Sequence, residues 1–198
     1  MPRPDEGPVP AQLILHLPAA VIADLGGGLP ALLQRLAPSC LIAGSVDGRL
    51  DRALAAAAHA DGVPVLLELA EDAPHRVGAD GVYLTDPALA AVEVAGWREA
   101  LGPDGMVVAF CGASRHAAME AAEAGADAVA FGGTDLAGLI GWWAPLMEVP
   151  CIAAGVARPE EVAALAAAGA DFILPDAALW DGGAAAVEAI AAALAEHS

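Results

Sequence analysis

Two acidic residues and one histidine lie in or directly after apolar stretches, where a charged side chain needs a partner. Glu68 lies within one apolar run, Asp86 follows the next run, and His16 lies near the end of the first. An ionised carboxylate is costly to bury unless an ion pair or a metal compensates it. We therefore predict a catalytic or ion-paired role for Glu68, and a magnesium-binding pair of Glu68 and Asp86, because carboxylate oxygens suit that ion. The alternatives are a rim carboxylate at Glu68, a helix cap at Asp86 and a core or rim histidine at His16.

Residues 111–116, with the sequence CGASRH, combine a thiol, a hydroxyl, a guanidinium and an imidazole. Ser114 is a candidate catalytic residue, and it is equally suited to cap the helix that follows. Arg115 is a candidate contact for an anion such as phosphate. A nucleophilic pair of Cys111 and His116 is a further alternative, although nothing indicates a carboxylate that would complete a triad.

Glycines that follow later apolar runs predict a place where the backbone approaches a phosphate. Gly132 and Gly155 follow such runs, and Arg158 lies three residues after Gly155. Backbone N–H groups in a glycine turn bind phosphate closely, and an arginine adds positive charge. We predict Gly132, Gly155, Arg115 and Arg158 as phosphate contacts. Asp176, which follows the last apolar run, opposes this prediction because a carboxylate repels phosphate.

The composition excludes several classes of partner and of chemistry. The 198 residues include 26 acidic and 8 basic side chains, with a net charge of −18 and no lysine. Nucleic acids and anionic membrane surfaces bind basic patches, so neither is predicted as a partner. A small phosphorylated ligand is compatible with this charge only where arginines, a metal or helix N-termini supply local positive charge. The absence of lysine excludes Schiff-base chemistry.

The cysteines and the first residues of the chain bear on its location. Cys40, Cys111 and Cys151 lie far apart in apolar runs without metal-ligand spacing, which favours reduced core thiols in the cytoplasm. Residues 1–10 are rich in proline and lack the basic-then-apolar order of a signal peptide, and we predict a flexible leader there. No uncharged apolar run reaches the roughly 20 residues of a membrane span.

Short apolar runs alternate with alanine-rich segments of helical period, and these elements must position the candidate residues. Continuous apolar runs of this length are typical of parallel strands covered by helices. The eight predicted strands are Gln12–Leu17, Cys40–Ala43, Pro64–Leu69, Gly81–Leu84, Met106–Cys111, Ala128–Phe131, Cys151–Ala154 and Asp171–Leu174. We predict a single (β/α)₈ TIM barrel over residues 11–198, with a doubly wound open sheet as the alternative. In such a barrel the active site lies at the C-terminal ends of the strands, where the candidate residues fall.

The triplet Gly-Ala-Asp occurs at residues 78–80, 125–127 and 169–171, each time before a predicted strand. Glycine suits the left-handed position that ends a helix, so each triplet is predicted to turn the chain into a strand. These turns lie at the N-terminal face of a barrel, which serves stability rather than chemistry.

Two adjacent tryptophans lie on the predicted sixth helix, at Trp142 and Trp143. Neighbouring helical residues point about 100° apart, so one indole is expected to pack on the barrel. The other indole suggests a contact with a second subunit, and we predict a homodimer.

Four of these stretches, in this order, resemble the thiamine phosphate synthase family, which includes the TenI-type proteins. Residues 78–84, GADGVYL, are similar to the family's GADGVHLG, and residues 112–116 are similar to its GxSxH. Residues 125–127 resemble its GADY, and residues 152–156 resemble its AIGGI. The resemblance covers residues 36–195. It implies a barrel transferase of thiamine biosynthesis that joins a pyrimidine diphosphate to a thiazole phosphate, with magnesium on the pyrophosphate.

The chain departs from this family at several strand ends. The family's QxRxK corresponds to residues 41–45, LIAGS, and its Asn-Asp pair corresponds to residues 68–69, Glu-Leu. The family's TxTK after strand six is absent. Ser114, Gly155 and Gly132 carry over from the family pattern.

Three functions are therefore open on the sequence. The first is a thiamine phosphate synthase-like transferase, and the second is a catalytically inactive barrel that binds a phosphate ligand or a partner protein. The third is an unrelated barrel isomerase or lyase that uses Glu68, Asp86 or His16 as acid–base groups.

Overall fold

The computed structural model describes residues 10–44, 50–69, 79–88 and 90–196, and its eight parallel strands close into one barrel. Each strand pairs with the next along the chain, and the last pairs with the first. The strands are β1 (Gln12–Leu17), β2 (Cys40–Ala43), β3 (Val65–Leu69), β4 (Gly81–Leu84), β5 (Met106–Gly112), β6 (Ala128–Phe131), β7 (Cys151–Val156) and β8 (Phe172–Pro175). The predicted (β/α)₈ barrel is confirmed, and the open-sheet alternative is wrong because the closed sheet has no edge.

Helices cover the outside of the barrel. The α-helices are α1 (Ala19–Leu25), α2 (Leu29–Leu36), α3 (Arg52–Ala60), α4 (Ala90–Leu101), α5 (Arg115–Glu123), α6 (Leu136–Trp143), α7 (Val162–Ala168) and α8 (Ala185–Ala195). Short 3₁₀ segments lie at Gly26–Gly28, Pro159–Glu161 and Ala177–Gly182. Within the described ranges, no helix combines the length and the apolar character needed to cross a membrane. The predicted leader falls almost entirely outside the described residues.

Strand alternation divides the core into two layers. One cluster contains strand residues only and fills the barrel interior; it consists of Ile14, Cys40, Ile42, Leu66, Tyr83, Val108, Ala128, Ala130, Ile152, Ala154 and Leu174. The alternate strand residues face outward and join the apolar faces of the helices in a larger cluster. Successive strand residues point to opposite faces, so a residue two positions after an interior residue also points inward. This rule places His16, after Ile14, and Glu68, after Leu66, towards the C-terminal end of the barrel interior.

The aspartates of the Gly-Ala-Asp repeat fasten the N-terminal ends of neighbouring strands. Each Oδ2 atom accepts a backbone N–H from the preceding strand: Asp80 from Val65 at 2.8 Å, Asp127 from Val107 at 2.7 Å and Asp171 from Cys151 at 2.8 Å. The backbone N–H of each aspartate donates in return to the carbonyl of the same partner, at 2.9, 2.8 and 3.1 Å. The preceding glycines at 125 and 169 have φ of +101° and +99°, as predicted, whereas Gly78 lies outside the described residues. The repeat is therefore a structural device at the N-terminal face.

Replacing Asp127 by alanine should remove the acceptor for the Val107 N–H and the ion-pair partner of Arg98. Leaving a strand N–H without its charged acceptor costs roughly 1–3 kcal/mol. We expect a loss of that size in the free energy of unfolding, measured by urea denaturation. The matched control is Glu123→Ala, because Glu123 is an exposed acidic residue of α5. This substitution should change the free energy of unfolding by less than about 0.5 kcal/mol. Equal losses in the two variants would contradict the role of Asp127.

Asp80 should make stability depend on pH. Burial raises the pKa of its carboxyl, but the Val65 N–H and His59, whose Nε2 lies 2.7 Å away, outweigh burial and lower the pKa overall. A lowered folded-state pKa stabilises the fold above the unfolded-state pKa, about 4, and this contribution disappears as the pH falls through the folded value. The difference in the free energy of unfolding between the parent chain and Asp80→Asn should therefore be largest at pH 6 and should decrease towards pH 2. A difference that is constant over this range would contradict the prediction.

The three cysteines should be unreactive in the folded chain. Burial raises the pKa of the thiols of Cys40, Cys111 and Cys151 to about 12. The thiolate is the reactive species, so very little of it exists at pH 8. We expect no reaction with a disulfide reagent over minutes in native buffer, and three reactive thiols in guanidinium chloride. One stoichiometric, rapid reaction in native buffer would show that a thiol is accessible and activated.

Candidate functional site

His16 and Glu68 meet at the C-terminal ends of the strands, which form the mouth of the barrel. The Nε2 atom of His16 lies 3.2 Å from Oε2 of Glu68. This Nε2 atom is sealed from solvent, and its contact with the carboxylate lacks the alignment of a hydrogen bond. The two side chains are 14% and 30% exposed, so they lie between the apolar interior and solvent. The carboxylate thus has an imidazole partner and remains accessible.

Two aromatic side chains belong to the interior layer below the mouth, and one of them, Tyr83, is adjacent to Glu68. Tyr83 is the register partner of Glu68 on β4 and is buried. Burial, followed by the negative charge of Glu68, raises the pKa of Tyr83 above its usual value, so the phenol stays protonated. Phe110, on β5, packs partly buried against the interior cluster. A Cβ at Gly132 would lie 2.9 Å from the Phe110 ring, so glycine at this position makes room for that ring.

The backbone that carries His16 is held from the other end of the chain. The Trp180 indole N–H donates to the His16 carbonyl oxygen at 2.7 Å. This bond links the 3₁₀ segment after β8 to the end of β1. No pattern in the sequence pairs residues 164 positions apart, so only the closed barrel reveals this contact.

Two β-bulges shape the mouth and make β5 and β7 longer than predicted. The register shifts between Phe110 and Gly112 on β5, and between Ala154 and Val156 on β7. Gly112 and Gly155 have φ of +55° and +77°, in the left-handed region that favours glycine. Bulges of this kind re-aim the chain beside active sites.

The predicted phosphate glycines have different surroundings. Gly132 is buried, and its N–H donates to the Gly112 carbonyl at 3.0 Å. Gly155 is exposed on its bulge, and a Cβ there would lie 4.0 Å from Oδ2 of Asp176. The Oδ1 atom of Asp176 accepts the Ala178 N–H at 2.8 Å. A carboxylate therefore lies beside the glycine that best resembles a phosphate contact.

Both predicted phosphate arginines already have partners within the chain. The Arg115 guanidinium lies 4.6 Å from the centroid of the Trp142 ring, and Arg158 donates to Oε1 of Glu161 at 2.6 Å. Both arginines are exposed. Their roles as phosphate contacts stay predictions, and each requires the guanidinium to exchange its present partner for the ligand.

The tryptophan pair divides as predicted. Trp143 is fully buried, packs edge-on against Phe131 with ring centroids 5.4 Å apart, and donates to the Val149 carbonyl. Trp142 is half-buried beneath Arg115. The homodimer contact stays a prediction.

Ser114 is the N-cap of α5, because its Oγ accepts the Ala117 N–H at 3.1 Å. This confirms the capping alternative and leaves a catalytic role for Ser114 as a prediction. His116 is mostly exposed, with Nε2 3.4 Å from the Glu120 carboxylate, whereas Cys111 is fully buried. A nucleophilic pair of Cys111 and His116 is therefore not formed.

Each of the carboxylates predicted for magnesium has one described partner. Oδ1 of Asp86 accepts the Ala88 N–H at 2.8 Å, and Oε2 of Glu68 faces His16. In the parts of the chain that the structure describes, no three histidine, cysteine, aspartate or glutamate side chains group as metal ligands. The described side chains therefore do not complete a metal centre by themselves. The assignment of magnesium to Glu68 and Asp86 stays a prediction.

Three comparisons place the chain among known proteins. A family model described as thiamine monophosphate synthase matches residues 48–175. A thiamine-phosphate synthase of Erythrobacter litoralis is 35% identical over 96% of this chain and 98% of its own length. Another, from Hyphomonas neptunium, is 40% identical over 69% of this chain and 67% of its own.

Solved structures agree on the fold. A thiamine phosphate pyrophosphorylase from Pyrococcus furiosus superimposes with a TM-score of 0.63 over 94% of this chain and 96% of its own, at 15% identity. At that identity the likeness shows the barrel alone. The family follows from the sequence matches, one of which spans nearly the whole chain: this protein belongs to the thiamine-phosphate synthase family.

Proposed function

We propose that this chain joins a pyrimidine diphosphate to a thiazole phosphate and so forms thiamine phosphate. The observation that carries the proposal is the 35% identity, over 96% of the chain, to a thiamine-phosphate synthase. The polar pair at the barrel mouth supports it, because chemistry in this fold lies at the C-terminal ends of the strands.

The reaction forms a bond between the thiazole nitrogen and the methylene carbon of the pyrimidine. It breaks the bond from that carbon to the diphosphate oxygen, and diphosphate leaves with the electron pair. In this proposal the rings lie in the mouth above Ile42 and Leu66, whose apolar side chains keep water from the reacting carbon. Glu68 and Tyr83 orient the rings.

The anionic groups of the substrates are proposed to lie at the rim. The departing diphosphate lies against the N-terminus of α5, where Ser114 and Arg115 provide a hydroxyl and a positive charge. The loop at Gly133 runs beside this turn, since a Cβ there would lie 3.5 Å from that of Ala113. The thiazole phosphate lies on the loop of Gly155, where Arg158 is the nearest candidate cation.

The test is to supply the purified chain with both substrates, with and without magnesium, and to measure thiamine phosphate by its oxidation to fluorescent thiochrome. We expect product, and a fall in kcat of at least about 10-fold for Glu68→Gln, because one lost transition-state contact costs on this order or more. The control is His59→Gln, which alters a histidine–carboxylate pair at the opposite face of the barrel. It should leave kcat unchanged. No product at high enzyme concentration would exclude the proposed reaction.

A second candidate is a barrel that binds the phosphorylated ligand without turnover. It is favoured by the engagement of Arg115 with Trp142 and of Arg158 with Glu161, because arginines that have other partners stabilise a departing diphosphate less. This candidate predicts that thiazole phosphate raises the melting temperature of the chain while no product forms. Turnover in the assay above would remove it.

A further inference from the structure

Glu68 is an accessible carboxylate in the described part of the barrel mouth. Glu68 is 30% exposed, Tyr83 is its register partner, and Phe110 lies in the same interior layer. Among the described residues, Arg115 lies over the Trp142 ring and Arg158 pairs with Glu161. The described mouth therefore offers the negative charge of Glu68 to a ligand, with the rings of Tyr83 and Phe110 in the interior layer.

The carboxylate is positioned without being fully engaged. His16 approaches Oε2 to 3.2 Å but makes no aligned hydrogen bond, so Glu68 keeps acceptor capacity for a ligand. The phenol of Tyr83 stays protonated next to it and adds no second negative charge. Leu66 and Ile42 line the floor, and low polarity there strengthens any charge interaction with the carboxylate.

The thiazole ring becomes positively charged in the proposed reaction. When a neutral thiazole nitrogen forms a fourth covalent link to carbon, the ring becomes a permanently charged thiazolium. Aromatic faces attract such cations, and a carboxylate within a partly dry site adds direct charge attraction.

We infer that Glu68, positioned by His16 and adjacent to Tyr83 in the strand register, is the counter-charge for a planar heteroaromatic cation bound in the barrel mouth. The inference rests on the proposed function for the natural source of that cation, the thiazolium ring. It adds to the proposed function that the mouth recognises the positive charge of this ring and that Glu68 is the residue that recognises it.

The experiment measures binding of two probes by calorimetry in the presence of EDTA. One probe is the cation 3-benzyl-4-methylthiazolium, and the other is neutral 2-benzyl-4-methylthiazole, of the same size. The parent chain should bind the cation up to roughly 5-fold more tightly, since one accessible ion contact is worth up to about that factor. In Glu68→Gln this preference should vanish through weaker binding of the cation alone.

The matched control is Glu120→Gln, which neutralises a carboxylate that also faces a histidine, His116, but on the outer surface of α5. It removes the same charge from the chain and should leave the preference unchanged. Glu68→Asp keeps the charge and should retain most of the preference. On the parent chain itself, the cation should shift the NMR signals of the His16 ring while the neutral probe should not, which tests the inference even if Glu68→Gln does not fold.

Each result is decisive. No preference for the cation in the parent chain, an undiminished preference in Glu68→Gln, or equal weakening of both probes would overturn the inference. Formation of thiamine phosphate without a cation preference would leave the proposed function and remove this inference. A cation preference that depends on Glu68, without turnover, would retain the inference and remove the proposed function.

Discussion

β1 pairs with β8 through Gln12 with Phe172 and Leu13 with Ile173, and this ladder closes the sheet. Closure gives every strand two neighbours and forces its side chains to alternate between the interior and the helices. The interior is narrow and apolar, so a polar inward-facing residue is tolerated only near an open end. His16 and Glu68, both at inward positions near the C-terminal ends of their strands, consequently share the mouth.

The two faces of the barrel use carboxylates differently. At the N-terminal face, each carboxylate accepts a backbone N–H from the preceding strand; these residues are Asp80, Asp127 and Asp171. Those bonds fasten strand ends and leave little capacity for a ligand. At the C-terminal face Glu68 faces the His16 imidazole and remains partly exposed. A His–carboxylate contact is therefore structural at His59 and open to ligands at His16.

The charged side chains at the rim of the barrel mouth are not arranged as a simple anion-binding site. Arg115 lies over Trp142, Arg158 pairs with Glu161, and Asp176 lies beside Gly155. The family membership shown by the sequence matches thus accompanies a rim whose two described arginines, Arg115 and Arg158, both have partners within the chain.

Periodicity alone was sufficient for the barrel and for much of its detail. Apolar runs gave strands β1, β2, β4 and β6 at the bounds the structure has, because buried parallel strands are continuously apolar. The Gly-Ala-Asp repeat marked the N-terminal face, since left-handed glycine ends a helix regardless of its surroundings. The sequence also singled out Glu68 as a carboxylate that needs a partner, but not which residue provides it. The partner His16, the Trp180 bond to the His16 carbonyl and the register shifts at Gly112 and Gly155 were decided by tertiary structure, because each depends on strands or segments that only the folded barrel brings together.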